Sequence, residues 1–131
     1  MPAQSIVDEA LCFIREYTDV FNSRVGDRIA ALYNVPCVTM RADGSIHCFQ
    51  SRQEIERFFQ QVADGYAKEG MHTGVFRNFS AVPMGARSVL VTVDWDMLGA
   101  DGGAIRQWRQ SYNLVRVDNV WRILAATIHL P

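Results

Sequence analysis

Three strand-like runs follow one another at the end of this chain, Arg87 to Leu98, Ile105 to Val117 and Val120 to Leu130, separated by Asp101-Gly102 and Asp118-Asn119. Such residue pairs tolerate positive φ and suit two-residue hairpin turns. With both acting as turns, cross-strand partners follow by counting. Trp95 opposes Trp108, Val93 opposes Gln110 and Val91 opposes Tyr112; across the second turn Leu114 opposes Ile123, Gln110 opposes Thr127 and Trp108 opposes His129.

Side chains alternate with period two, so the count also sorts them by face. One face carries Val89, Val91, Val93, Trp95 and Met97, then Trp108, Gln110, Tyr112 and Leu114, then Trp121, Ile123, Ala125, Thr127 and His129. It is aromatic and mostly apolar, a surface that must be covered. The other face collects Thr92, Asp94, Asp96, Gln107, Arg109, Ser111 and Asn113, with Asp94 opposite Arg109. Charges of opposite sign across a strand pair fit a solvent or interface side. A slip of one residue would exchange the two faces, and the glycine-rich stretch Gly99 to Ala104 is where a longer loop would enter.

The front of the chain reads as helix. Ile6, Ala10, Phe13, Ile14, Tyr17, Val20 and Phe21 recur at three and four, one stripe of an amphipathic helix ending near Asn22-Ser23. A short second helix spans Asp27 to Tyr33 and stops at Asn34-Val35-Pro36, because proline disfavours helix at the residue before it. A hairpin, Cys37 to Ala42 and Ser45 to Gln50, turns at Asp43-Gly44. Ser51-Arg52-Gln53-Glu54 has the form of a capping box, and Ile55, Phe58, Phe59, Val62 and Tyr66 follow as the stripe of a third helix that ends at Gly70. His72 to Val82 is a further strand, turned by Pro83-Met84-Gly85. Residues 1–131 form one α+β domain, about three helices covering one face of a curved, mainly antiparallel sheet. Where sheet and helices diverge, the aromatic face lines a pocket or fills it.

Composition excludes several functions. A net charge of −1 without a basic run leaves no electrostatic footprint for nucleic acid or anionic lipid. No stretch is apolar enough to span a membrane, and the start Met1-Pro2-Ala3-Gln4-Ser5 has no export signal, so the expected location is cytoplasmic. Cys12, Cys37 and Cys48 lack C-x-x-C spacing and read as small buried thiols. The three histidines stand at no ligand spacing with a carboxylate, so neither metal nor cofactor is expected.

The order of a long first helix, Gly26-Asp27-Arg28-Ile29-Ala30-Ala31-Leu32-Tyr33, the Asp43-Gly44 hairpin, Ser51-Arg52-Gln53-Glu54-Ile55 and a final Val120-Trp121-Arg122-Ile123 resembles the NTF2-like superfamily, most of all its SnoaL-like and ketosteroid-isomerase-like branch. The resemblance implies a conical α+β fold, a homodimer through the outer sheet face and an apolar small molecule or aromatic ligand inside the cone. Ketosteroid isomerases use a tyrosine on the first helix, an aspartate base on the first hairpin and a protonated aspartate on a later strand. Tyr17 matches the tyrosine. The base position falls at about Met40 or Arg41 and the second acid at about Gln110, so steroid-type isomerisation is disfavoured.

Candidate site residues come from the inner faces. Histidine titrates near neutrality and can serve as general acid or base. His129 is counted beside Trp108; a rim histidine bonded to water would look the same. His47 is counted with Val38, Met40 and Phe49, facing inward near Tyr17, where a satisfied core histidine is the plainer explanation. Met40, Trp95, Trp108, Gln110, Tyr112 and Trp121 are the expected ligand contacts, with Gln110 and Tyr112 as polar handles. Arg116 is counted opposite Trp121 and covers its ring. Asp94 and Asp96 fall outside. Two functions compete: a small-molecule binding cone, as an isomerase, cyclase or lyase using a pocket histidine, and a non-catalytic dimerisation or ligand-binding module.

Overall fold

The computed structural model describes residues 3–131. Helix α1 (Ala3–Asn22) is followed by α2 (Gly26–Ala30), β1 (Tyr33–Met40), β2 (Ile46–Phe49), α3 (Arg52–Lys68), β3 (Thr73–Pro83), β4 (Ser88–Leu98), β5 (Ala104–Val117) and β6 (Val120–Ile128). The strands form one open sheet in the order β2-β1-β6-β5-β4-β3. All neighbours are antiparallel except β1 and β6, which makes the sheet mixed.

The stripe of α1 is buried as its spacing requires, with Ile6, Ala10, Phe13, Ile14, Tyr17 and Val20 in the core. Helix α3 starts where the capping box sets it. Ser51 Oγ accepts the Glu54 amide at 3.2 Å, and Glu54 Oε1 accepts the Gln50 amide at 3.2 Å. It ends at Lys68 and is closed off by Gly70, whose φ of 97° lets the Met71 amide reach back to the Tyr66 carbonyl.

The closing meander keeps the counted register over β4 and β5. Trp95 pairs with Trp108, Asp94 with Arg109 and Val91 with Tyr112. The glycine-rich loop is in fact longer than two residues, since the Gly99 amide bonds the Gly103 carbonyl and Leu98 pairs with Ala104. A bulge then restores the count, with Met97 opposite Arg106. Asp118 and Asn119 both have positive φ, 53° and 62°, the two-residue turn expected there.

Three expectations are corrected. Helix α2 ends at Ala30, and Tyr33 instead opens β1 opposite Ile123. A helix of five residues gains little by extension, whereas in β1 Tyr33 buries its ring on Phe59, with centroids 4.5 Å apart.

The turn between β1 and β2 has three residues. The Arg41 amide bonds the Ser45 carbonyl at 2.9 Å, with Gly44 at φ 83°. This moves the register by one, pairing Thr39 with His47 and Met40 with Ile46. Cys37, Thr39 and Phe49 are therefore buried, while Met40 and Val38 point to the other face.

In β6 an extra residue, Leu124, sits between the pairs Leu114–Ile123 and Asn113–Ala125. Beyond this bulge Gln110 pairs with Ile128 and not with Thr127. Ala126 and Ile128 are buried, while Thr127 and His129 are exposed. The bulge exchanges a hydroxyl and an imidazole for two apolar side chains on the covered face, the direction that hydrophobic burial favours.

A candidate ligand cleft inside the cone

Where the C-terminal ends of α1 and α3 diverge from the sheet, aromatic side chains converge on a narrow cleft. Tyr17 from α1 and Tyr33 from β1 share a hydroxyl hydrogen bond of 2.7 Å. Trp95 Nε1 donates to the Tyr112 hydroxyl at 2.9 Å, and Tyr17 packs edge-on against the Tyr112 ring at 5.7 Å. Phe59 supplies the floor. At the rim, half-buried Tyr66 and Trp108 lie with ring centroids 5.8 Å apart. The Asn22 side-chain amide bonds both backbone groups of Gly74, tying the end of α1 to β3. The free volume is about 30 Å³. Side chains thus fill most of the cone and leave room for two or three waters, at roughly 10–15 Å³ each.

Among the described residues, Arg41 is the one charged side chain in the lining. The three-residue turn puts it on the same face as Thr39, and its Nη2 donates to the Tyr66 hydroxyl at 3.0 Å while the guanidinium covers the Phe58 ring at 5.8 Å. Burial, and then the neighbouring phenols, push the Tyr17, Tyr33 and Tyr112 hydroxyls well above the usual tyrosine range. Arg41 opposes that shift in each, and burial outweighs it.

These phenols are neutral donors in the fold and ionise in the unfolded chain at about pH 10. The native state then holds more protons than the unfolded one, so stability falls as pH rises above that value. An absorbance titration should show Tyr17, Tyr33 and Tyr112 silent until the protein unfolds. Their titration in a still-folded protein would mean that the site is wet.

Tyr17, Trp95, Trp108, Gln110 and Tyr112, picked out from sequence, all line the cleft. Gln110 is buried and accepts the Trp108 indole N–H at 3.0 Å, and its cross-strand neighbour is Ile128 in place of the counted Thr127. Four residues expected inside lie elsewhere. Met40 faces away because of the β1–β2 register. His47 is half-buried against Phe58 at 4.8 Å, bonded to Ser45 Oγ at 3.0 Å, and outside the lining. His129 is on the outer face, where Nε2 meets Ser111 Oγ at 2.8 Å. Trp121 lies toward the other end of the cone, donating to Glu9 Oε1 at 3.0 Å under the Arg116 guanidinium.

Arg41, Tyr33 and Phe59 were not among the expected contacts. A three-residue reading of the Asp43-Gly44 turn would have placed Arg41 on the inner face. Of the thiols, Cys37 is buried, which raises it to about 11, whereas Cys12 and Cys48 are exposed. Asp94 and Asp96 lie on the outer face as expected, bonded to Arg109 and Gln107 respectively, and Arg77, which the count did not include, joins both; the hydrogen bonds donated by Asn78 and Arg77 respectively hold the two carboxyls below the usual range. Among the described residues no cluster of His, Cys, Asp or Glu could hold a metal ion, and no helix is long and apolar enough to cross a membrane.

Three helices over an open, mixed six-stranded sheet with an aromatic interior define a cone-shaped α+β domain of the cystatin-like kind. The chain belongs to a family of NTF2-like proteins, DUF6841, whose profile matches residues 8–131. No curated protein matches it. Among solved structures it is similar to Aln2 from a Streptomyces species, with 16% identity, a TM-score of 0.80, and 98% of this chain and 93% of that one covered. An NTF2-like protein of unknown function from Shewanella oneidensis gives 12%, 0.73, 95% and 98%. A cystatin-like protein of unknown function from Nostoc punctiforme gives 10%, 0.76, 92% and 86%. At these identities the likeness is one of fold.

Proposed function

We propose that the protein binds a small, planar, mostly apolar molecule in the cleft formed by Tyr17, Trp95, Trp108, Gln110 and Tyr112. The observation that carries this reading is the convergence of indole and phenol groups on one small space in an otherwise apolar interior, the mixture of apolar wall and few polar handles that lines ligand sites. Its lining contains no carboxylate and no imidazole among the described residues, so the residues present hold or polarise an oxygen and do not supply a general base. Binding is therefore favoured over isomerase, cyclase or lyase chemistry. Because the free volume is about 30 Å³, binding requires Tyr66 and Trp108 to part and the lining behind them to open. The dimer through the outer sheet face and the kinship with SnoaL-like proteins belong to the same proposal.

A second reading, an association module with a filled core, is favoured by the small free volume. A thermal-shift screen with planar aromatic carbonyl compounds separates the two. Ligand at a hundredfold excess over its Kd stabilises by about 2.7 kcal/mol, so a hit raises Tm by several degrees, and Trp108→Ala should abolish the rise. No shift with any compound, and none retained in native mass spectrometry, would leave the module.

A further inference from the structure

Hydrogen-bond donors outnumber acceptors in the cleft. A phenol carries one proton to give and can accept others' protons. Tyr112 accepts from Trp95, and Tyr66 accepts from Arg41, so each keeps its own proton unassigned. In the Tyr17–Tyr33 pair one hydroxyl gives its proton to the other, which leaves one more. Gln110 uses its carbonyl on Trp108, and its amide protons have no acceptor among the described residues. Arg41 completes the set. It has no carboxylate within salt-bridge distance among the described residues, and its side-chain hydrogen-bond partner is the Tyr66 hydroxyl. Its guanidinium lies half-buried over the Phe58 ring without a counter-charge, which leaves it open to pairing with an anion.

We propose that the ligand of this cleft is an oxyanion on a planar ring or conjugated chain, an aromatic or α,β-unsaturated carboxylate, with Arg41 as its counter-charge. This rests on the binding reading above and adds to it the charge of the molecule. The carboxylate takes the place of the Tyr66 hydroxyl on the Arg41 fork, where a guanidinium can give two parallel hydrogen bonds. The unassigned protons of Tyr66 and Tyr112 and the Gln110 amide serve the remaining lone pairs. The flat apolar part lies among Trp108, Trp95 and Tyr17. Neutral phenols suit this role, since an ionised one would repel the anion.

Isothermal titration of cinnamate and of its neutral isostere cinnamamide tests the proposal at neutral pH. The wild-type protein should prefer cinnamate by about tenfold or more, the usual scale of a charge-assisted pair. Arg41→Gln should remove that preference by weakening cinnamate at least tenfold more than cinnamamide, and Arg41→Lys should retain part of it. Cinnamamide bound as well as cinnamate by the wild type would overturn the oxyanion assignment and leave the binding reading standing. A cinnamate preference that survives in folded Arg41→Gln would equally overturn it. If that variant does not fold, a wild-type preference that does not weaken with added salt overturns it instead. Failure of both compounds, and of the wider screen, removes the binding reading and this inference with it.

Discussion

Phe59→Ala lowers the unfolding free energy by about 3–5 kcal/mol in denaturant titration, the loss usual for a buried phenylalanine. Phe59 is 1% exposed, stacks on Tyr33 and meets Phe58 edge-on at 5.0 Å. Its neighbours cannot easily collapse into the gap, because Tyr33 is held by its bond to Tyr17 and Tyr17 by the packing of α1. The void joins the cleft floor, so a small apolar ring compound should restore part of the stability by occupying it. A loss below about 1 kcal/mol, or one that no such compound reduces, would mean that this floor is not packed as described.

Gly26→Ala is the second substitution with a large expected effect, although it adds a single carbon. A β-carbon at Gly26 would stand 2.5 Å from the Glu56 carbonyl oxygen and 2.9 Å from Gln60 Cβ, where α2 crosses α3. Neither the backbone carbonyl nor a helix-bound β-carbon can step aside, so the helices must separate. The separation breaks the 2.7 Å bond from the Gly26 amide to Gln60 Oε1. Overpacking of this kind costs about 1–3 kcal/mol, and α3 carries Phe59 and Tyr66, so ligand binding should weaken with it. A variant as stable as the wild type would show that the two helices do not touch at this glycine.

The fold was legible because its strongest signals are periodic and local. The α1 stripe, the Ser51 capping box and the Asp118-Asn119 turn each specify an element without help from the rest of the chain. So does the Trp95–Trp108 register, which placed Asp94 and Asp96 outside. Site placement failed where one inserted residue inverts a face. Leu124 sent His129 outward, and the third residue of the β1–β2 turn exchanged Met40 for Arg41. Each insertion is decided by which side chains the finished core prefers to bury. Two-residue counting has no access to that preference. Tyr33 was assigned to a helix for a related reason, since its place between Tyr17 and Phe59 exists only after β1 has paired with β6.

The indole N–H resonances of the three tryptophans give the most direct test of the cleft. Trp95 and Trp108 line it, whereas Trp121 lies apart, held by Glu9 and Arg116. In a nitrogen-15 NMR titration with cinnamate, the Trp95 and Trp108 signals should move together along one saturable curve while Trp121 stays in place. A ligand that saturates while shifting Trp121 alone, or none of the three, would contradict a binding site inside the cone.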